Sequence, residues 1–261
     1  MSQLMRMAPP ERVGPRGGKL QIVVINAPYD TLDNPLTQEL LGKLVALKIA
    51  GYQKEYPYGV LPVDTGDFVG THLIVCEELE GKFTVLMGYK SISIERCETH
   101  HLKFPIFHLL ESEPLENYRQ AVRDVLSEAV SKNESVAYNA SWTISPEVSR
   151  DTVLRKICVD LTVAMMYFYY TEYKIRHIVA AAIRRFKVDR LKLFIGYNYL
   201  KLGETVLPPV MLPTFFNEVA SVMHLTEFTP EAIELSMSYL GLWENRITLE
   251  RLNSQPQQKA A

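Results

Sequence analysis

The sequence predicts a mixed α/β protein, with one central, mixed, twisted sheet flanked by helices and a helical segment added at the C-terminus. Three observations carry this. Short runs of β-forming residues alternate along the chain with stretches of helical periodicity. One helical stretch is apolar on nearly every side, as a helix buried against a sheet must be. No internal repeat and no second composition regime divides the 261 residues. An apolar fraction of 47% and a charged fraction of 22% suit a globular chain with a substantial core.

The elements follow in order. Residues 1–19 hold Pro9, Pro10, Pro15, Gly14, Gly17 and Gly18 without an apolar core and read as a flexible arm, neither secretory signal nor anchor. Gln21-Ile-Val-Val-Ile25 is a strand, ended by Asn26 and Pro28. Asn34 and Pro35 open a helix over about Leu36 to Ala50, closed by Gly51. Tyr52 to Gly70 is a long polar and aromatic connection, of the kind that often carries function. Thr71 to Glu77 and Phe83 to Glu95 form a hairpin around Glu80-Gly81-Lys82. After an irregular stretch from Thr99 to Leu110, Pro114 to Lys132 is helical and Ser135 to Ile144 is a strand. Pro146 and Glu147 then start the greasy helix, over roughly Val148 to Phe186 and jointed near Thr171 to Tyr173. Arg190 to Tyr197 and Thr205 to Met211 read as strands, and Thr214 to Leu252 as one or two helices with a start signal at Thr229-Pro230. Asn253 to Ala261 reads as a flexible tail. The domain is expected over 20–213, with 214–252 packed on it.

Composition excludes some functions. A formal net charge of −2 disfavours a nucleic-acid binder, which needs clustered Lys and Arg. Cys76, Cys97 and Cys158 form no CxxC pair, so a reducing, cytoplasmic setting is expected. No apolar run is long and uncharged enough to span a bilayer. His100, His101 and His108 lack a Cys or carboxylate partner at zinc-site spacing, and no metal is expected.

The element order, together with a closing Phe194-Ile-Gly-Tyr-Asn-Tyr-Leu-Lys-Leu-Gly203, resembles the GNAT acyltransferases. Within them the chain is similar to acyl-homoserine-lactone synthases and N-acyl amino acid synthases. The residues that carry this likeness are Gly51-Tyr52, Asp64, Asp67-Phe68, Thr71-His72-Leu73-Ile74 and Met87-Gly88-Tyr89-Lys90, in that order. Two motifs depart from the family. Its strand reads Glu-x-Ser-Arg, whereas here Tyr138-Asn139-Ala140-Ser141-Trp142 puts Asn139 at the Glu and Trp142 at the Arg. Its glycine-rich pyrophosphate turn is absent from Ser149-Arg150-Asp151-Thr152-Val153, which would cost a CoA pyrophosphate its backbone cradle. A phosphopantetheine arm on an acyl carrier protein needs that cradle less.

The resemblance implies an N-acyltransferase that moves a medium or long acyl chain from an acyl thioester, on a carrier protein or on CoA, to the amine of a small acceptor such as an amino acid. Such chemistry needs a base, donors for the oxyanion and an acid for the thiolate. Asp67, Asp64 and His72 are the candidate bases. The two aspartates can alternatively hold the acceptor's ammonium, or simply cap the turn at Gly66. Tyr197 and Tyr199 are the candidate acids. Tyr52, Tyr58, Phe68, Lys90, Asn139, Ser141 and Trp142 are the candidate substrate-binding residues, and Ile144, Ser149, Arg150, Asp151 and Thr152 would meet the donor. The basic stretch from Lys174 to Lys192 is either a solvated helix face or a dock for an acidic carrier protein. A catalytically silent binding module and a CoA-dependent acetyltransferase are the alternatives.

Overall fold

The computed structural model describes residues 14–57 and 63–251. Tyr58, most of the expected arm and the whole of the expected tail lie outside these. The described end of the arm is fastened down, because the backbone N–H groups of Arg16 and Gly18 donate to Glu77 Oε1 at 2.7 and 2.9 Å.

The first half of the chain runs β1 (Lys19–Asn26), α1 (Pro35–Glu55), α2 (Gly66–Val69), β2 (Thr71–Leu79), β3 (Lys82–Ser93), α3 (Ile94–Thr99), α4 (Ile106–Leu109), α5 (Glu116–Ser131) and β4 (Ser135–Ile144). The second half runs α6 (Pro146–Arg150), α7 (Thr152–Glu172), β5 (Ile175–Ile183), α8 (Val188–Ile195), β6 (Asn198–Tyr199), β7 (Lys201–Leu202), β8 (Thr205–Val206), β9 (Val210–Leu212), β10 (Glu218–Leu225), α9 (Pro230–Met237), α10 (Leu240–Glu244) and β11 (Ile247–Leu249).

One sheet runs in the order β11-β1-β2-β3-β4-β5-β10-β6, with β9 also on β10. Its pairs are antiparallel except β1 with β11 and β4 with β5. The parallel β4–β5 pair needs a crossover, and α6 and α7 supply it. α7 lies on one face of the sheet, where Leu161 to Met166 is buried without a break. The other face is covered by α1, through Leu40, Leu44 and Leu47, and by α5, through Ala121, Val122 and Val125. No described helix is long and apolar enough to cross a membrane.

Three expected elements differ. The second half of the greasy helix is β5. α7 ends at the expected joint, where Lys174 turns left-handed at φ 54°, and the alanine-rich run Val179 to Ala182 becomes a strand because β4 and β10 pair with both its edges. Arg190 to Tyr197 is mostly helix. Asp189, Lys192 and Ile195 recur every three residues on its buried side while Leu193 and Phe194 are exposed. Gly196 ends α8 at φ 123°, where a Cβ would come within 2.3 Å of the Glu227 carbonyl oxygen. The expected helical segment after Thr214 instead contributes β10 and β11 to the sheet, with α9 starting at Thr229 as read. α1 also continues to Glu55, which puts Tyr52 on a helix rather than in the connection.

Candidate active site

The site begins where β4 and β5 part. Their register runs from Ser135↔Ile175 to Asn139↔Ala180 and stops there. Beyond it, Ala140 to Ile144 keeps only β3 as a strand neighbour, and β5 goes on with β10. β4 carries one extra residue at this point. Gly88 pairs with Thr143 and Lys90 with Ala140, and Ser141 sits in the bulge at φ 59°, a conformation that costs a non-glycine residue energy. The extra residue resets the alternation, so Asn139 and Trp142 both face α7. Trp142 Nε1 donates to Thr162 Oγ1 at 3.0 Å. Ala140, Ser141 and Trp142 are half-buried, as are Ala181 and Ile183 across the gap.

A chain of polar side chains lies under the parting on the α7 face. Tyr170 donates to Ser91 Oγ at 3.2 Å and accepts from Asn139 Nδ2 at 3.0 Å. Asn139 Oδ1 accepts from Lys192 Nζ at 2.9 Å, and Lys192 also reaches the Tyr197 hydroxyl at 3.2 Å and lies 4.4 Å from the centre of its ring. No carboxylate within 4 Å pairs with Lys192 among the described residues. Burial pulls its ammonium down to about 7, and pushes the Tyr197, Tyr170 and Tyr89 phenols up. The Tyr89 hydroxyl, in the neighbourhood of Tyr170 and Tyr197, is buried without a hydrogen-bond partner.

The acidic motif folds against the opposite face. Lys48 of α1 reaches Asp67 Oδ1 at 2.7 Å with both side chains 2% exposed. Lys90 of β3 bridges Asp67 at 3.2 Å and Asp64 at 2.9 Å. Asp67 Oδ2 accepts the Asp64 N–H at 3.0 Å. Burial opposes ionisation of Asp67, but Lys90 and Lys48 outweigh it and hold the carboxyl below its usual range. His72 Nε2 donates to the Asp67 carbonyl oxygen at 2.6 Å, and burial lowers its pKa to about 4. Asp64, Phe68, Tyr29 and His100 line an open cleft of about 560 Å³. Tyr52 joins Tyr56 and Phe215 in an aromatic cluster near the end of α1, and burial raises its phenol to about 12.

The expected donor loop caps itself. Ser145 accepts the Val148 N–H, and Asp151 Oδ1 accepts the N–H groups of Val153 and Leu154 at 2.9 and 3.0 Å. The first donors of α7 are therefore held by a carboxylate. Ser149, Arg150 and Thr152 are exposed, and Ile144 packs into the core.

No protein-family model matches the sequence, and no curated protein does. Among solved structures the chain is similar to MesI, a CoA-dependent acyl-homoserine lactone synthase, at 13% identity and TM-score 0.50, over 85% of this chain and 95% of that one. It is similar to BjaI, another CoA-dependent acyl-homoserine lactone synthase, solved with MTA, at 14% identity and TM-score 0.53, over 89% and 95%. The chain shares the overall fold of these two structures. At these identities the likeness is one of architecture.

In this fold the expected site residues divide between the two faces of the sheet. Asn139, Ser141, Trp142 and Tyr197 gather at the parted strands. Asp64, Asp67, His72 and Lys90 gather on the α1 side, where Asp67 pairs with Lys48 and Lys90 and His72 bonds the Asp67 carbonyl oxygen. Tyr199 sits on β6, separated from β4 by β5 and β10. The basic stretch is no single helix face. Its His177 and Lys192 are buried, Arg185 is taken by Glu55 and Glu218, and β5, which carries Arg176, separates Lys174 from Arg184 and Lys187. Lys192 is the site residue that sequence reasoning misplaced. Its signal was the three-residue spacing with Asp189 and Ile195, hidden by reading α8 as a strand.

His100, His101 and His108 do not converge either, and no group of three metal-ligating side chains occurs among the described residues.

Proposed function

We propose that this protein is an N-acyltransferase that moves an acyl group from a pantetheine thioester to the amine of a small acceptor. The parting of β4 from β5 after Asn139↔Ala180 carries the reading. Strands that separate in the middle of a sheet leave main-chain donors and acceptors without a ladder, and a pantetheine arm, with its own amides, is a ligand that can take their place. The bulge at Ser141 turns the backbone at this point, the kind of device that aims an N–H at a developing oxyanion. Trp142, Met165 and Met166 offer the apolar, adaptable surface that a medium or long acyl chain needs. The amino group of an amino acid, or a similar small amine, is the acceptor.

The fold supports the same reading, since MesI and BjaI are both CoA-dependent, and BjaI has been solved with isopentyl-CoA. Asp151 at the α7 N-terminus favours a donor that asks little there, such as an acyl carrier protein, for which Arg184, Lys187 and Arg190 remain exposed. Either donor places the protein in the cytoplasm, consistent with three free, buried cysteines.

The test is direct. The purified chain is incubated with acyl-CoA and acyl-carrier donors of graded length and a panel of amino acids and small amines. Thiol release is followed, and products are identified by mass spectrometry. An N-acyl product matching the released thiol is expected. Tight binding of donor without thiol release would instead identify a silent binding module.

A further inference from the structure

We propose that Lys192 of α8 is the catalytic base of this acyl transfer, acting beside Asn139, which stands where the family's strand has its glutamate. The proposal rests on the N-acyltransferase reading and adds to it a residue that neither sequence motif nor fold singles out.

The geometry begins at the last rung of the β4–β5 ladder. Asn139 occupies that rung, and its side chain is tied to Lys192 Nζ at 2.9 Å. An amide is a poor proton acceptor, so Asn139 cannot do what a carboxylate would do there. It can hold an amine in place by accepting a hydrogen bond from it. Lys192 is 5% exposed, yet its only hydrogen-bond partners among the described residues are Asn139 and the Tyr197 hydroxyl.

No element packed around it supplies a compensating negative charge. β5 carries no titratable residue from Ile178 to Ile183, and His224 of β10 is hydrogen-bonded to His177. Glu231 and Glu234 of α9 are exposed, and Asp189, one turn earlier on α8, pairs with Arg184. Tyr170 of α7 and Tyr89 of β3 face the same region as neutral phenols. A lysine buried without a counter-ion gives up its proton easily, and near neutral pH half of it is a free amine.

The chemistry balances without a further reactant. Neutral Lys192 takes one proton from the acceptor's ammonium, leaving an amine whose lone pair attacks the thioester carbon. The new C–N bond gives a tetrahedral intermediate. Its collapse breaks the C–S bond, and the electron pair leaves with sulfur. The second nitrogen proton passes to the thiolate, with Tyr197 placed to relay it. Lys192 then returns its proton to solvent. The products are an amide, a thiol and one proton.

The experiment compares wild type, Lys192→Met, Lys192→Ala and Tyr197→Phe in kcat/KM between pH 5.5 and 9, with product identified by mass spectrometry. Wild type should gain about tenfold per pH unit below roughly 7 and level off above it. Lys192→Met should lose on the order of 10²- to 10⁴-fold and lose that limb. Lys192→Ala should be partly rescued by added ethylamine, which a purely structural lysine would not allow. If Lys192→Met fails to fold, Tyr197→Phe decides the matter. It removes an acceptor from the ammonium, so the limb should move to lower pH. A folded Lys192→Met that keeps both its rate and its limb, or a limb unmoved in Tyr197→Phe, overturns the assignment while leaving the transferase intact. A wild type that releases no thiol from any donor removes both.

Discussion

Asp67, a candidate base in the sequence, is held in the structure between two buried lysines. Its spacing from Asp64 and its place before β2 matched an acyltransferase motif, yet its carboxylate is shared by Lys48 and Lys90, whose charges hold it ionised and make it a weak base. Removing it would leave the buried Lys48 ammonium without a counter-charge and Lys90 with the exposed Asp64 alone. Asp67→Ala should therefore cost about 3–5 kcal/mol in urea unfolding, so its loss of activity would report unfolding rather than chemistry. Asp67→Leu combined with Lys48→Met, which removes one charge of each sign, should recover most of that stability. A single Asp67→Ala that unfolds like wild type would show that the cluster does not hold α1 to β3.

At the scale of elements, the N-terminus of α7 is the place where a single cap decides between self-satisfaction and ligand. Asp151 occupies the N–H groups of Val153 and Leu154 and sets a negative charge where a phosphate would otherwise sit. Asp151→Ser keeps a capping oxygen and removes the charge, so stability should change by well under about 1 kcal/mol. The KM for an acyl-CoA should fall while that for the same acyl group on a short pantetheine, lacking the nucleotide, stays fixed. An equal change in both would place the pyrophosphate elsewhere.

The elements also show what the sequence made legible. β1 to β4 and α1, α5 and α7 were readable because each has one dominant periodicity and its own stop signal, such as Asn34 for α1 and the Glu80-Gly81 turn between β2 and β3. β5 and α8 were not. Val-Ala-Ala-Ala favours a helix locally and is a strand only because two neighbours pair with it, and Leu-Lys-Leu-Phe-Ile alternates like a strand while its Lys is buried and its second Leu exposed. That one inversion hid the best candidate in the site, since a strand would have put Lys192 on the surface with the other cations. The division of the motif residues between two faces of the sheet was not legible either. Lys90 and Ser91 are neighbours in sequence and point to opposite sides.

For the molecule as a whole, the buried titratable groups set a dependence of stability on pH with a definite shape. His72 and His224 have folded pKa values lowered by burial to about 4, so between pH 6.5 and about 4 the unfolded chain binds protons that the folded chain does not. Stability present above pH 6.5 is lost as pH falls through that window, by up to about 3 kcal/mol for fully buried His72 and less for half-buried His224. Lys192, lowered to about 7, acts in the same direction over a higher range, since above pH 7 only the unfolded lysine keeps its proton. Stability should therefore continue to rise from pH 7 towards 9. The three cysteines then oppose it. Burial raises Cys76, Cys97 and Cys158 to about 12, and as pH rises past the ordinary thiol value only the unfolded chain ionises. The protein should thus be most stable near pH 9 rather than near its pI of about 6.3. Urea midpoints at pH 5, 7, 8 and 9 check this. Lys192→Met should flatten the rise between 7 and 9 and leave the acid limb unchanged, and His72→Gln should do the reverse. A midpoint that falls between pH 7 and 9 in wild type would mean that Lys192 is charged in the folded protein, and so no base.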